Sequence, residues 1–293
     1  MYSTSRHFTR LHKKWTSRHR TLKEALWRKH KESLQWASSK IPKEKLVAGS
    51  LGLLLLAAPS HFSLPTPRLG IPAQSIAQEL DTKIRLMLSL KNKVPQDVRP
   101  LTDAEEQEVG EVLSREFGFR VITQLKGIRL NRSYGYIGQE QHLARFPGDG
   151  IPIHFDSEEQ ARLYGKYGIA PGLGAWGYFA PSYGVLTQQD KERERYYIAV
   201  QTFLAPGYNE HVAEYRDFFK YRKMLVVNPQ NGKAIVAAVA DAGPAQWTGK
   251  HLGGSPEVMG YLERYDGSQK GSVLYFFIDD PQDSIPLGPI EVQ

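Results

Sequence analysis

The chain has 293 residues, 41% of them hydrophobic and 24% charged, and no cysteine. That length supports one or two globular domains with a real core; the lack of cysteine excludes disulfides, thiolate metal sites and lipid attachment through an N-terminal cysteine. The net charge of +7 is uneven: residues 1–45 hold 13 Lys and Arg against 3 Asp and Glu, a net +10, which leaves −3 for the rest. The body is therefore not a basic nucleic-acid binder, and no nucleic-acid partner is expected.

Taken in chain order, the basic tail comes first. Leu22, Ala25, Leu26, Lys29 and His30 fall at helical spacing, with Trp15, Trp27 and Trp36 along the same stretch. Two readings stand: a basic helix lying on anionic lipid, or a solvated tail whose charge orients the chain. Leu46–Ala58 follows, 13 uncharged and mostly apolar residues. A spanning helix needs about 17–25 such residues, and neutral Pro59 to Leu64 extends the run toward that minimum. We expect residues 46–64 to be a single-pass signal anchor, uncleaved because Pro59 directly follows Ala58. The positive-inside rule puts residues 1–45 in the cytoplasm and the body outside it.

Residues 65–101 read as a Pro- and Ser-rich linker and a helix over 76–92, broken by Pro95 and Pro100. Thr102-Asp-Ala-Glu105 is a capping-box pattern and predicts a helix over 103–117 that stops at Gly118. The period then changes. Val121, Thr123 and Leu125 alternate with Arg120, Ile122 and Gln124, and Gly127 marks a turn, so strands are expected across 119–143, then a loop through Pro147-Gly-Asp-Gly150. Residues 102–171 thus form an α+β segment. His142, Asp149, His154 and Asp156 lie close together in it. Their spacing matches no metal motif, so they are read as polar loop residues; no metal or cofactor is expected.

Beyond Gly172 the best strands are Tyr197–Phe203, Lys223–Val227, Lys233–Ala240 and Ser272–Ile278, with Asn231-Gly232 as a hairpin turn and a helix at about 255–263. Short strands with irregular loops predict a small β-barrel over 172–293. One feature points at chemistry. The apolar run from Ala234 ends at Asp241, followed at once by Ala242, Gly243 and Pro244. A buried strand that stops at an acid on a tight turn places that acid at the sheet's rim.

Two blocks carry a family resemblance over about 172–280. Gly172-Leu-Gly-Ala-Trp-Gly-Tyr-Phe-Ala-Pro-Ser-Tyr-Gly184 is similar to the opening strand of the double-psi β-barrel of rare lipoprotein A, a septal lytic transglycosylase. Val226 to Pro244, through Asn231-Gly-Lys233 and Asp241, resembles that family's hairpin and acid at matching length. Thr248 to Pro256 resembles the segment that leads into a helix. The resemblance implies a six-stranded double-psi barrel at the C-terminal end; with the α+β segment and the membrane helix read above preceding it, the expected fold is mainly β. It also implies a peptidoglycan-directed envelope protein. The family's acid falls on Asp241. Its histidine falls on Tyr215, with His211 four residues upstream, and its second Asp on Gly253 or Gly254.

Hydrolysis of a glycosidic bond usually takes two carboxylates, and Asp217, Glu257 and Asp279 are the acids available for that. Lytic cleavage needs one, because the sugar's own hydroxyl attacks while a carboxyl with a raised pKa gives and then takes a proton. Asp241, next to Ala237–Ala240, suits that role, or alternatively caps its turn by accepting backbone amides. The expected catalytic set is Asp241, His211 and Tyr215. The expected substrate-binding set is Tyr183, Trp247, Lys250 and His251, with Trp247 in the loop after the acid. The expected function is binding, with cleavage if Asp241 is active, of peptidoglycan glycan strands; the alternative is a non-catalytic envelope module for glycan or a cell-division partner.

Overall fold

A computed structural model describes residues 73–265 and 270–293. The tail (1–45) and the expected anchor (46–64) lie outside the described residues. Among those described, no helix is long and apolar enough to cross a membrane.

Helix α1 spans Ala73–Leu90 and α2 Asp103–Phe117. The capping box forms as the sequence predicts: the Thr102 hydroxyl accepts from the Glu105 amide and the Glu105 carboxylate accepts from the Thr102 amide. Gly118 ends α2 at φ 73°, where a Cβ would be strained, and its amide closes on Ser114. Strand β1 (Val121–Ile122) and a hairpin of β2 (Gln124–Leu125) and β3 (Ile128–Arg129) follow, turning at Lys126-Gly127.

The barrel is a closed ring of six strands with helices around it. Its members are β4 (Tyr134–Gln139), β5 (Tyr197–Val200), β6 (Lys223–Val227), β7 (Ala234–Ala242), β8 (Leu252–Gly254) and β9 (Lys270–Ile278). Around the ring the order is β9, β4, β8, β5, β7, β6 and back to β9. β4 with β8 and β5 with β7 are parallel; the other four pairings are antiparallel. Closure leaves these strands no open edge. β10 (Gly288–Ile290) adds to β7 from outside the ring.

All six strands contribute to one apolar cluster, which is the barrel interior: Ile137, Ile198, Val226, Val239, Leu252 and Val273 among others. Alternate residues of β6, β7 and β9 face a second cluster. Leu225, Val227, Val236, Leu274 and Phe276 pack there on Leu86, Leu90, Val109, Leu113 and Phe117 of α1 and α2. Both faces of these strands are buried, which is why they read as unbroken apolar runs. Fully burying Phe117 contributes about 2–3 kcal/mol.

Two expectations need correction. The ring reaches further back than residue 172, because β4 comes from the α+β segment. Its sequence is glycine-rich for a steric reason: a Cβ on Gly135 would stand 2.8 Å from His251 Cβ and one on Gly138 2.6 Å from Lys250 Cδ. The same glycines dilute its strand signal. Conversely, Gly172–Gly184 forms bends and turns rather than an opening strand. It belongs to a long excursion between β4 and β5 that also carries α3 (Ile151–His154), α4 (Glu158–Tyr164) and α5 (Gln188–Arg195). Helix α6 (Val212–Phe219) precedes β6, and α7 (Pro256–Leu262) follows β8 with Ser255 as its N-cap. The strand expected over Tyr197–Phe203 ends at Val200 and turns into a short 3₁₀ helix, Thr202–Leu204.

Candidate functional site

Asp241 stands near the end of β7, half-buried. Its Oδ1 accepts the amides of Ala175 and Ala242, both at 2.8 Å. Burial pushes its pKa up against the pull of those two amides, and the net shift is upward. The Ala175 contact belongs to a clasp: Arg216 Nη2 donates to the Ala175 carbonyl at 2.9 Å, and the Trp176 indole donates to the Arg216 carbonyl at 3.0 Å. Asp241 thereby pins the excursion to the barrel and to α6. The turn after it is held as well, with Gln201 Nε2 donating to the Pro244 carbonyl at 2.9 Å.

The other expected site residues are not gathered around Asp241. Tyr215 is buried in the interior cluster, its hydroxyl bonded to the Pro206 carbonyl. His211 is exposed, stacked on Tyr215 and 3.3 Å from Glu214. Lys250 and His251 are taken up in holding β4: Lys250 Nζ donates to the Gln139 carbonyl and Glu140, and His251 Nδ1 accepts the Tyr136 amide at 3.0 Å. Burial, with the Arg132 and Lys270 charges, pushes the His251 pKa down to about 4. Tyr183 is exposed and edge-on to Phe146. Trp247 is 89% exposed. It lies in the loop between β7 and β8, at the Val200 end of β5, since Val200 pairs with both Ala242 and Leu252. Asp241 and Trp247 therefore share one end of the barrel. Of the further acids, Asp217 and Asp279 line a separate surface cleft.

The strongest constellation of titratable groups lies elsewhere, where the excursion meets α7. His142, Asp149 and His154 are not surface loop residues: the side chains of all three are buried, and Glu194 of α5 and Glu257 of α7 join them. Asp156 alone keeps the solvated role, paired with Lys191 and Arg195. His154 Nδ1 is 2.9 Å from Asp149 Oδ2 and its Nε2 is 3.2 Å from Glu194 Oε2. Asp149 Oδ2 also accepts the Arg145 amide and Nε. Burial disfavours the His154 cation, but Asp149 and Glu194 outweigh it and raise its pKa to about 9. Burial likewise disfavours the Glu194 charge, yet the two imidazoles beside it hold the carboxyl at about 2. Glu257 is pushed up by burial. His142 approaches Glu194 Oε1 at 3.4 Å without hydrogen-bond geometry, so its pull there is electrostatic.

Sequence reasoning missed Glu194 altogether and placed Glu257 only as a spare acid. Their signals were faint: Glu194 sits in the polar helix QQDKERER, and Glu257 is the second residue of α7. No protein-family model, no curated protein and no solved structure matches the chain.

Proposed function

We propose that this protein is a cell-envelope module, anchored through residues 46–64 with its N-terminus in the cytoplasm, that binds peptidoglycan glycan strands at the Asp241 end of a barrel of the double-psi type. The observation that carries the reading is Trp247, 89% exposed at that end of the barrel. An indole held in water on a short 3₁₀ turn, Gln246–Thr248, offers a flat apolar face to a sugar ring. Binding without cleavage fits Asp241 best, because its Oδ1 is engaged by two amides and neither His211 nor Tyr215 touches it.

Full-length protein in detergent, sedimented with purified peptidoglycan, tests this. Retention is expected for wild type, and Trp247→Ala should weaken it roughly tenfold, equivalent to about 1.4 kcal/mol. Undiminished retention of that variant removes the reading. One observation favours cleavage as a second reading: the pKa of Asp241 is raised by burial, as a single general acid and base requires. Anhydro-sugar products from wild type and none from Asp241→Asn would establish it.

A further inference from the structure

We propose that His142, His154, Glu194 and Glu257 form a site for one divalent transition-metal ion that takes mixed nitrogen and oxygen donors, zinc being the member of that class that fits. The inference goes beyond the glycan reading and does not depend on it.

Unpartnered atoms point to it first. His142 is 0% exposed, yet neither ring nitrogen has a hydrogen-bond partner, and Glu257 Oε2 is buried and unpaired beside it. Buried polar atoms are nearly always satisfied, so two such residues facing each other call for a missing partner. The spacing is that of a coordination shell. The donor atoms of His142, His154 and Glu194 lie within 4.8 Å of one another. Between donor atoms the gaps are 3.2 Å for His154 Nε2 to Glu194 Oε2 and 3.8 Å for His142 Nδ1 to Glu257 Oε2, while His142 Nδ1 stands 3.4 Å from the other Glu194 oxygen. Four donors about 2.1 Å from a tetrahedral ion stand roughly 3.4 Å apart.

Three of the four ligands are anchored through one atom and turn another inward, where His154 Nε2 and Glu194 Oε2 face each other and Glu257 Oε2 is unpartnered. His154 gives Nδ1 to Asp149 and turns Nε2 inward, the carboxylate–imidazole arrangement that orients metal-bound histidines. Glu194 Oε1 accepts the Leu143 amide at 3.0 Å, leaving Oε2. Glu257 Oε1 accepts Gln160 Nε2 at 3.2 Å, leaving Oε2. Charge agrees. An ion bound here takes the place of the His154 proton; with both imidazoles then neutral, the Arg145 guanidinium stands against the carboxylates of Asp149, Glu194 and Glu257, and a dication brings that sum to zero. Gln160 and Glu257 also line a cleft of about 1010 Å³, which gives the ion a way in.

Four protein donors make a closed, structural site rather than an open catalytic one. The donors come from the loop after β4, from α3, from α5 and from α7, so the ion ties the excursion to the barrel. Such a staple is what a segment with little apolar core requires.

The test uses full-length protein stripped with EDTA. Titration with Zn²⁺ alone should show one equivalent bound more tightly than about 1 µM, and Co²⁺ in its place should give visible d–d absorption. Asp149→Asn should weaken binding about 10–100-fold; His142→Asn and Glu257→Gln should lose that equivalent. Zn²⁺ at a hundred times Kd should raise Tm by about 5–10 °C. That last readout needs no variant. It also reports only an ion that prefers the folded chain over the unfolded one. No rise in wild-type Tm, or an unchanged equivalent in folded His142→Asn, overturns the proposal.

Discussion

The barrel and the excursion between β4 and β5 are held by different physics. In the barrel, seven of the nine residues of β7 and eight of the nine of β9 are buried, nearly all of them apolar. In residues 141–196 the buried apolar side chains are Leu143, Phe146 and Ala180, while His142, Arg145, His154 and Glu194 are buried and polar or charged. Helix α4 buries none of its residues. Apolar burial is non-directional and tolerant of adjustment. A buried ionic network is directional, and removing one member leaves its partner's charge unpaired in a poor solvent. The barrel should therefore fail globally and the excursion locally.

Breaking the barrel gives the largest effect. Phe219→Ala removes a fully buried ring from the interior cluster and should cost about 3–5 kcal/mol, with every probe of urea unfolding shifting together. Breaking the network comes next. In EDTA, Glu194→Gln removes one of the two carboxylates on His154 and the nearer of the two beside His142, and should cost about 3 kcal/mol. Amide exchange should then rise across 141–195 while β6, β7 and β9 keep their protection; equal loss in the barrel would erase the distinction. Asp241→Ala frees two amides at the clasp between the regions and should cost about 1–3 kcal/mol.

Acid sharpens the contrast more gently. His251 stays neutral down to about pH 4 when folded but takes its proton near pH 6.5 when unfolded. The unfolded chain thus binds the extra proton between those values, and stability should fall as pH drops through that window, by about 1–2 kcal/mol given its partial exposure. His251→Asn keeps an acceptor for the Tyr136 amide and should flatten the slope. Trp247→Ala should change stability by less than about 0.5 kcal/mol while acting on binding.

Much of the barrel was legible because its signals are local. The Thr102 capping box placed α2 to the residue, and the runs 197–203, 223–227, 233–240 and 272–278 named four of the six ring strands. β8 was not legible: with three residues and two glycines it has no periodicity to read. Gly253 and Gly254 are there for close approach, since added Cβ atoms would stand 2.5 Å from Glu140 Cγ and 3.0 Å from Ile137 Cδ1. β4 was read as a strand but not as part of the ring, for the same reason.

By itself the sequence determined the apolar alternation, the caps and the turns, because each depends on residues within a few positions of one another. It also located Asp241 at the end of its strand. Only the tertiary structure decided what the acids and imidazoles do. Asp241 became a clasp because Ala175, 66 residues away, brings it an amide. His142 and His154 read as polar loop residues, Glu257 as a spare acid, and Glu194 drew no reading; the fold brings these four separate segments together and buries them. Burial is a property of the fold, and with it the change from surface charge to ligand.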